Sequence, residues 1–353
     1  MGILRPYSLR SRLSLTESAK RRVDMLEFLF ESSIAMSLFL QSLGEGVLKV
    51  FEYISLLGTE DFYFLVMPGL FWSVDAVLGL RVGVVLMYTV TANTLLKWAF
   101  HLPRPYWIDT RVRGLVAEST FGAPSGHSQF NASIYGLIAH ALRRRWVWVL
   151  AIVLVFLISF SRIVLGVHFY LDVLLGWAFG ILVLWSFLRW EKPVLEWLKG
   201  RSLQANIILL LVFSIVLLAF GAGILGFQER IGIPEEWVSN ALLSQPEEVI
   251  DPLKLDDLIT SVGTFFGFAA AALWLYGRGG YSAAGPNWQR GLRFVIGMLG
   301  VLVLWQGLGI IFPRNADLIS YMLRFVRYAL VGLWIAGGAP WLFLRFGLAK
   351  PSE

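Results

Sequence analysis

The sequence predicts an all-α, polytopic helical membrane protein, and three observations lead there. Of 353 residues, 57% are hydrophobic and only 15% charged, where a soluble domain is roughly a quarter charged. Mean hydropathy is +0.68. The apolar residues also gather in successive stretches of roughly twenty, the length at which a helix crosses a bilayer.

Nine such stretches run at 60–79, 81–99, 126–142, 146–164, 168–188, 204–226, 258–276, 292–312 and 324–345. Residues 24–43 are also apolar, but Glu27 and Glu31 interrupt them and favour an interfacial amphipathic helix. The opening "MGILRPYSLRSRLSLTESAKRR" is basic and lacks the apolar region and cleavage site of a signal peptide. It also lacks the Ser or Thr at the sixth position that myristoylation uses. No fixed repeat or low-complexity tract is present. The stretch 228–257 is the longest soluble piece, is acidic, and marks a seam between two halves.

Cysteine is absent, which removes disulfides, thiol nucleophiles and cysteine metal sites. The net charge of +6 fits basic loops beside anionic lipid headgroups. Nucleic acid is excluded as a partner, since no basic segment is interleaved with aromatics. Lysine and arginine collect in alternate loops: Arg143, Arg144 and Arg145, then Arg189, Lys192, Lys199 and Arg201, then Arg278, Arg290 and Lys350. By the positive-inside rule these loops are cytoplasmic. The acidic stretch and the segment after Lys97 then face outward or into a lumen. Lys20, Arg21 and Arg22 disagree if 24–43 does not cross.

Three polar clusters interrupt the apolar pattern, all on that outer side. In "KWAFHLPRP", Lys97 closes a helix and Arg104 precedes Pro105, which holds its backbone extended. In "PSGH", Pro124 to His127, proline suits a first helical turn and Gly126 lets a ligand approach the backbone. The free N–H groups of such a turn receive anions. In "SRIVLGVHFYLD", Ser161 and Arg162 end one helix, Gly166 turns, and His168 opens the next. Asp172 lies four residues after His168, on the same helical face. Its carboxylate can accept the Nδ1–H of the imidazole and leave Nε2 as a nucleophile. Three cations, an anion-binding helix start, one oriented histidine and a second histidine meet the needs of phosphoryl transfer.

These residues resemble the three signature motifs of the type 2 phosphatidic acid phosphatase (PAP2) superfamily. Lys97-x6-Arg104-Pro105, Pro124-Ser-Gly-His127 and Ser161-Arg162-x5-His168-x3-Asp172 stand complete and in order. The resemblance implies a PAP2-like helical core, with His168 as the nucleophile forming a phosphohistidine and Asp172 orienting it. It implies that His127 protonates the leaving group and then activates water. Lys97, Arg104, Ser125, the Gly126 backbone and Arg162 would hold the phosphate, and no metal or other cofactor takes part. No H-E-x-x-H or paired Cys/His set is present either.

The layout of "KWAFHLPRPYWID", Glu118 and the C-terminal half is similar to the glucose-6-phosphatase branch, which implies a sugar phosphate substrate at the outer or lumenal face. The alternative is a lipid phosphate or diphosphate, phosphatidate or a polyprenyl diphosphate, or phosphotransfer to another acceptor. Partners are thus a phosphorylated small molecule or lipid and the membrane lipids. The organisation expected is a basic arm and interfacial helix over 1–59, a catalytic membrane core over 60–203, and C-terminal membrane helices over 204–353.

Other residues have plainer expectations. His101 is a spectator, and His140, thirteen residues after His127 on one helix, lies too far to join the site. Tyr106 and Trp107 either stack on a substrate or belong to an interfacial belt. Glu118 is a polar support, a sugar-hydroxyl acceptor or an exposed charge. "NAS" at Asn131 falls inside a helix and is discounted for glycosylation. "GRGGYSAAG" at 277–285 is a flexible connector.

Overall fold

The computed structural model describes residues 17–352, without the side chains of residues 17–24 and 26. Residues 1–16 of the basic arm, with the signal and myristoylation readings, lie outside these, as do the side chains of Lys20, Arg21 and Arg22. Among the described residues all regular structure is helical, apart from an isolated bridge between Ser282 and Lys350. The helices are α1 Glu17–Gln41, α2 Glu45–Leu56, α3 Glu60–Ser73, α4 Ala76–Phe100, the short α5 Pro105–Ile108, α6 Gly126–Leu142, α7 Arg145–Val164 and α8 Tyr170–Lys199. There follow α9 Leu203–Ile231, α10 Glu235–Ser244, α11 Asp256–Tyr276, α12 Asn287–Leu302 with α13 Leu308–Ile311, and α14 Leu318–Leu333 with α15 Ala339–Arg345; π-turns join the last two pairs.

Among the described residues seven helices are long and apolar enough to cross a membrane, or eight if the bent pair 27–41 and 45–56 counts as one span. The chain is an integral, multi-pass membrane protein. Nine spans were expected, and the shortfall lies in α3 and α6, of 14 and 17 residues. The stretch 60–79 breaks early because Asp75 caps α4, accepting from the Leu78 N–H at 2.9 Å. The stretch 24–43, expected as an interfacial helix, falls mostly on α1, and α2 follows at an angle of 112°.

Close helix contacts depend on small residues, as they do where lipid supplies no hydrophobic drive. Gly176 and Gly180 of α8 lie against the first turns of α6: a Cβ on Gly176 would come 2.6 Å from Ser128 Cβ. A Cβ on Gly263 would come 2.9 Å from the Phe325 carbonyl, which sets the spacing of α11 and α14.

Two expectations about the C-terminal half need correction. The acidic stretch 228–257 is not one long loop, because α9 extends to Ile231 and α10 fills 235–244. Nor does it hang free: the Asp251 N–H donates to the Ser119 carbonyl at 3.1 Å and Trp98 Nε1 donates to the Pro252 carbonyl at 3.0 Å. The stretch 277–285 is pinned rather than flexible. Tyr281 is buried and donates to the Phe71 carbonyl, and Arg293 donates to the carbonyls of Ser282 and Ala283.

Candidate active site

The end of α4, the start of α6, the end of α7 and the start of α8 meet at one end of the bundle, and the three clusters meet with them. Backbone bonds set the spacing. The Ser125 N–H donates to the Asp172 carbonyl at 3.0 Å, tying the α6 start to α8. Gly166 turns the chain at φ +71°, where a side chain would strike the Arg113 carbonyl.

His168 is not on the helix of Asp172, as the spacing suggested. It lies two residues before Tyr170, the first residue of α8, and the contact forms across the helix start. Asp172 Oδ2 accepts from the Phe169 N–H at 2.9 Å and from His168 Nδ1 at 3.3 Å. One carboxylate therefore caps the helix and aims the ring. On the other side of the ring, Arg104 NH1 lies 3.2 Å from Nε2. A guanidinium can only donate, so Nε2 accepts and the proton sits on Nδ1. That is the tautomer a nucleophilic Nε2 needs.

Arg104 is fully buried and binds two loops together. Nε donates to the Thr120 carbonyl at 2.7 Å, NH1 to the Val167 carbonyl at 3.0 Å, and NH2 to the Phe121 carbonyl at 3.2 Å. NH2 also reaches Glu118 Oε2 at 2.9 Å, and Arg162 NH2 meets Glu118 Oε1. Glu118, read from sequence as a polar support, a sugar-hydroxyl acceptor or an exposed charge, thus bridges Arg104 and Arg162. Burial opposes its charge, but Arg104 and Arg162 outweigh burial and hold the carboxyl at about 2. Burial, then Arg104, Arg162 and Lys97, keep His168 well below the ordinary imidazole range, so it is neutral at pH 7.

A cavity of about 440 Å³ opens beside these groups. Lys97, Gly126, His127 and His168 line it, together with Glu60, Glu118 and Asp257. Lys97 Nζ donates to Thr120 Oγ1 at 2.6 Å. His127 Nε2 has no protein partner. Its backbone carbonyl accepts from Asn131 Nδ2, and Asn131 Oδ1 accepts from Tyr63 OH at 2.6 Å. Asn131 is thus buried and internally used, as its helical setting implied. Ser125 caps α6, its side chain accepting from the Ser128 N–H at 3.5 Å, and Gly126 beside it lines the cavity.

Tyr106 and Trp107 are buried, and the Tyr106 hydroxyl donates to the Glu118 carbonyl at 3.1 Å. They support the loop and form neither belt nor substrate platform. His101 caps α4 with φ 49° and packs on Phe121 at 4.3 Å, away from the cavity lining. His140 is exposed at the opposite end of α6. Sequence reasoning missed Ser55, which accepts from Arg162 NH1 at 2.6 Å. It also missed the wall that Asp251, Asp257 and Arg324 of the C-terminal half give the cavity. No local pattern marks them, because their elements meet only in the fold.

Two family models match the chain: PAP2 superfamily over residues 78–196, and PAP2 superfamily phosphatase, transmembrane extension, over residues 259–351. Phosphatidylglycerophosphatase B of Bacillus subtilis is 41% identical over 90 residues, 22% of this chain and 44% of that protein. Lipid phosphate phosphatase delta of Arabidopsis thaliana is 25% identical over 187 residues, 48% of this chain and 44% of that protein. The chain therefore spans under half the length of these relatives. Among solved structures, a transmembrane PAP2 type phosphatidylglycerolphosphate phosphatase from Bacillus subtilis is 28% identical, with a TM-score of 0.40, over 46% of this chain and 86% of that one.

Proposed function

We propose that the chain, matched by PAP2 superfamily models over residues 78–196 and 259–351, is a PAP2 membrane phosphatase acting on a phosphorylated lipid. The observation that carries the reading is the ring of His168, held between Asp172 and Arg104 at the edge of the cavity. The substrate phosphate replaces the Glu118 carboxylate between Arg104 and Arg162, with Lys97 and the Gly126 backbone completing the clamp. His168 Nε2 attacks phosphorus. The ester P–O bond breaks, its electron pair stays on the leaving oxygen, and His127 gives that oxygen a proton. His127 then takes a proton from water, the water oxygen attacks phosphorus, and the P–N bond breaks to release phosphate. Side chains supply the cations that phosphoryl transfer requires.

Residues 60–203 carry this chemistry, and 204–353 close the cavity. The site faces outward or into a lumen, at the end opposite Arg143, Arg144 and Arg145.

A lipid substrate is favoured by the relatives, whose names specify lipid phosphates. A second reading, a sugar phosphate as in the glucose-6-phosphatase branch, has one observation on its side. Glu60, Glu118, Ser119 and Asp257 give the cavity a polar wall that suits sugar hydroxyls. The test is phosphate release by the purified full chain, with a chelator present. Short-chain phosphatidate and glucose 6-phosphate are compared, with His168→Ala as blank. Turnover of phosphatidate alone supports the lipid reading; turnover of the sugar ester alone replaces it with the second. Release abolished by the chelator contradicts the side-chain cation scheme.

A further inference from the structure

Arg327 is the tenth residue of α14, inside a segment long and apolar enough to cross the membrane. It is only 7% exposed. Charges at such depth are rare and mark function when they have no structural use. Five other arginines of the bundle have an ion pair or hydrogen bonds, while Arg290 at the start of α12 shares with Arg327 a buried Nε without a partner among the described residues. Arg81 pairs with Glu191, Arg104 and Arg162 with Glu118, Arg324 with Asp256, and Arg293 holds two carbonyls. Arg327 has neither ion pair nor hydrogen bond among the described residues. Its Nε is buried and unpartnered, and its one contact of note is the Tyr328 ring at 4.7 Å.

Arg327 lines a second cavity, formed by the 312–315 loop, the first half of α14 and Asp256 of α11. Arg314, from the connecting loop, lines it too and spends only one N–H on the Gly309 carbonyl, at 3.1 Å. Arg324 and Asp256 form the wall this cavity shares with the catalytic one, and they neutralise each other. Asp317, bonded to Ser320 of the lining, adds one carboxylate beside the cavity, so Arg314 and Arg327 leave an excess of one positive charge there. The enclosed space, about 10 Å³, holds one water-sized group. A larger ligand therefore places its charged oxygens at the mouth and keeps its body outside. Around the mouth, Ile310, Ile311, Leu318 and Ile319 are largely exposed, as residues facing lipid are.

The geometry points to an anion site for a phosphate group, presented by an anionic lipid headgroup of the surrounding leaflet and distinct from the catalytic clamp. Two guanidinium forks on a phosphodiester supply the charge-assisted hydrogen bonds that Arg327 lacks. The exposed isoleucines and leucine contact the acyl chains.

The test uses the full chain, purified and delipidated in detergent. Thermal melting is followed during titration with phosphatidylglycerol, phosphatidylcholine or inorganic phosphate. Phosphatidylglycerol should raise the melting temperature more than phosphatidylcholine. Arg327→Gln and Arg314→Gln should each weaken that effect roughly tenfold, while Arg327→Lys retains most of it. Arg314→Gln lies on an exposed loop, so its result stands even if Arg327→Gln does not fold. A shift from inorganic phosphate that these variants abolish, with none from the lipid, keeps the anion site but assigns it to free phosphate. Equal responses to both lipids, or wild-type responses in both glutamine variants, would mean that only water occupies the cavity and would overturn the site.

Discussion

Arg104 and Arg162 are buried on either side of the Glu118 carboxylate, which is 20% exposed and occupies the position the proposed mechanism gives to phosphate. Removing one member of such a group strands the others and costs about 3–5 kcal/mol. Glu118→Ala should therefore lower stability by about that much, read by thermal or denaturant unfolding. Inorganic phosphate should restore part of the loss in the variant, because an oxyanion takes the carboxylate's place between the guanidinium groups. Absence of any rescue would place the phosphate elsewhere. Asp172 acts through the His168 tautomer. Asp172→Asn should reduce kcat on the order of 10³–10⁴-fold, by analogy with other oriented histidines. His168 carries its own pH signature. Its proton affinity is depressed, so the neutral nucleophile persists as pH falls, and the acid limb of kcat/KM should lie below about 6.5. Lys97→Met removes a neighbouring cation, raises the affinity of His168 for a proton, and should move that limb upward. A wild-type limb at or above 6.5 would contradict the assignment.

At the scale of elements, the site depends on helix ends held at close range. Gly58, in the turn between α2 and α3, leaves room for the His127 ring: a Cβ there would come 2.8 Å from His127 Cδ2 and 2.5 Å from Ile158 Cγ2. Gly58→Val should lower kcat through His127 while leaving the helical circular dichroism intact. Equal kcat in wild type and variant would show that the ring has slack. Most helices were legible from apolar length, because a bilayer imposes one period and one minimum length. The errors have local causes. Asp75 ends one apolar run with a cap, a signal present in "SVDAVL" but hidden by the hydrophobicity on both sides. His168 and Asp172 were correctly paired for a helical reason, yet the pair forms across a helix start. Four-residue spacing is compatible with both geometries.

At the scale of the molecule, the motifs exposed the chemistry but not its surroundings. Lys97, Arg104, His127, Arg162, His168 and Asp172 were legible as one cluster because they stand in three short motifs, and the structure brings them together around the cavity and Glu118. Ser125, read from sequence as a phosphate ligand, is also the cap of α6. Glu118 could not be assigned, because a lone loop carboxylate gives no sign that two buried arginines will meet it. Nor could the C-terminal wall be foreseen. Asp257 and Arg324 reach the cavity because α11 and α14 pack together and the 245–255 segment bonds to the catalytic loop. The polar wall they make bears on substrate choice, so Asp257→Asn should change KM for the preferred ester more than kcat. The reverse pattern would give Asp257 a part in the chemistry instead.

The central claim is that His168 becomes phosphorylated. The most direct measurement is rapid quenching of the purified full chain with radiolabelled short-chain phosphatidate, followed by tests of the label's stability in acid and base. The wild type should carry an acid-labile, base-stable phosphoryl group on the peptide containing His168, and His168→Ala should carry none. Label of the same kind and amount in His168→Ala, or turnover by that variant at the wild-type rate, would contradict the mechanism.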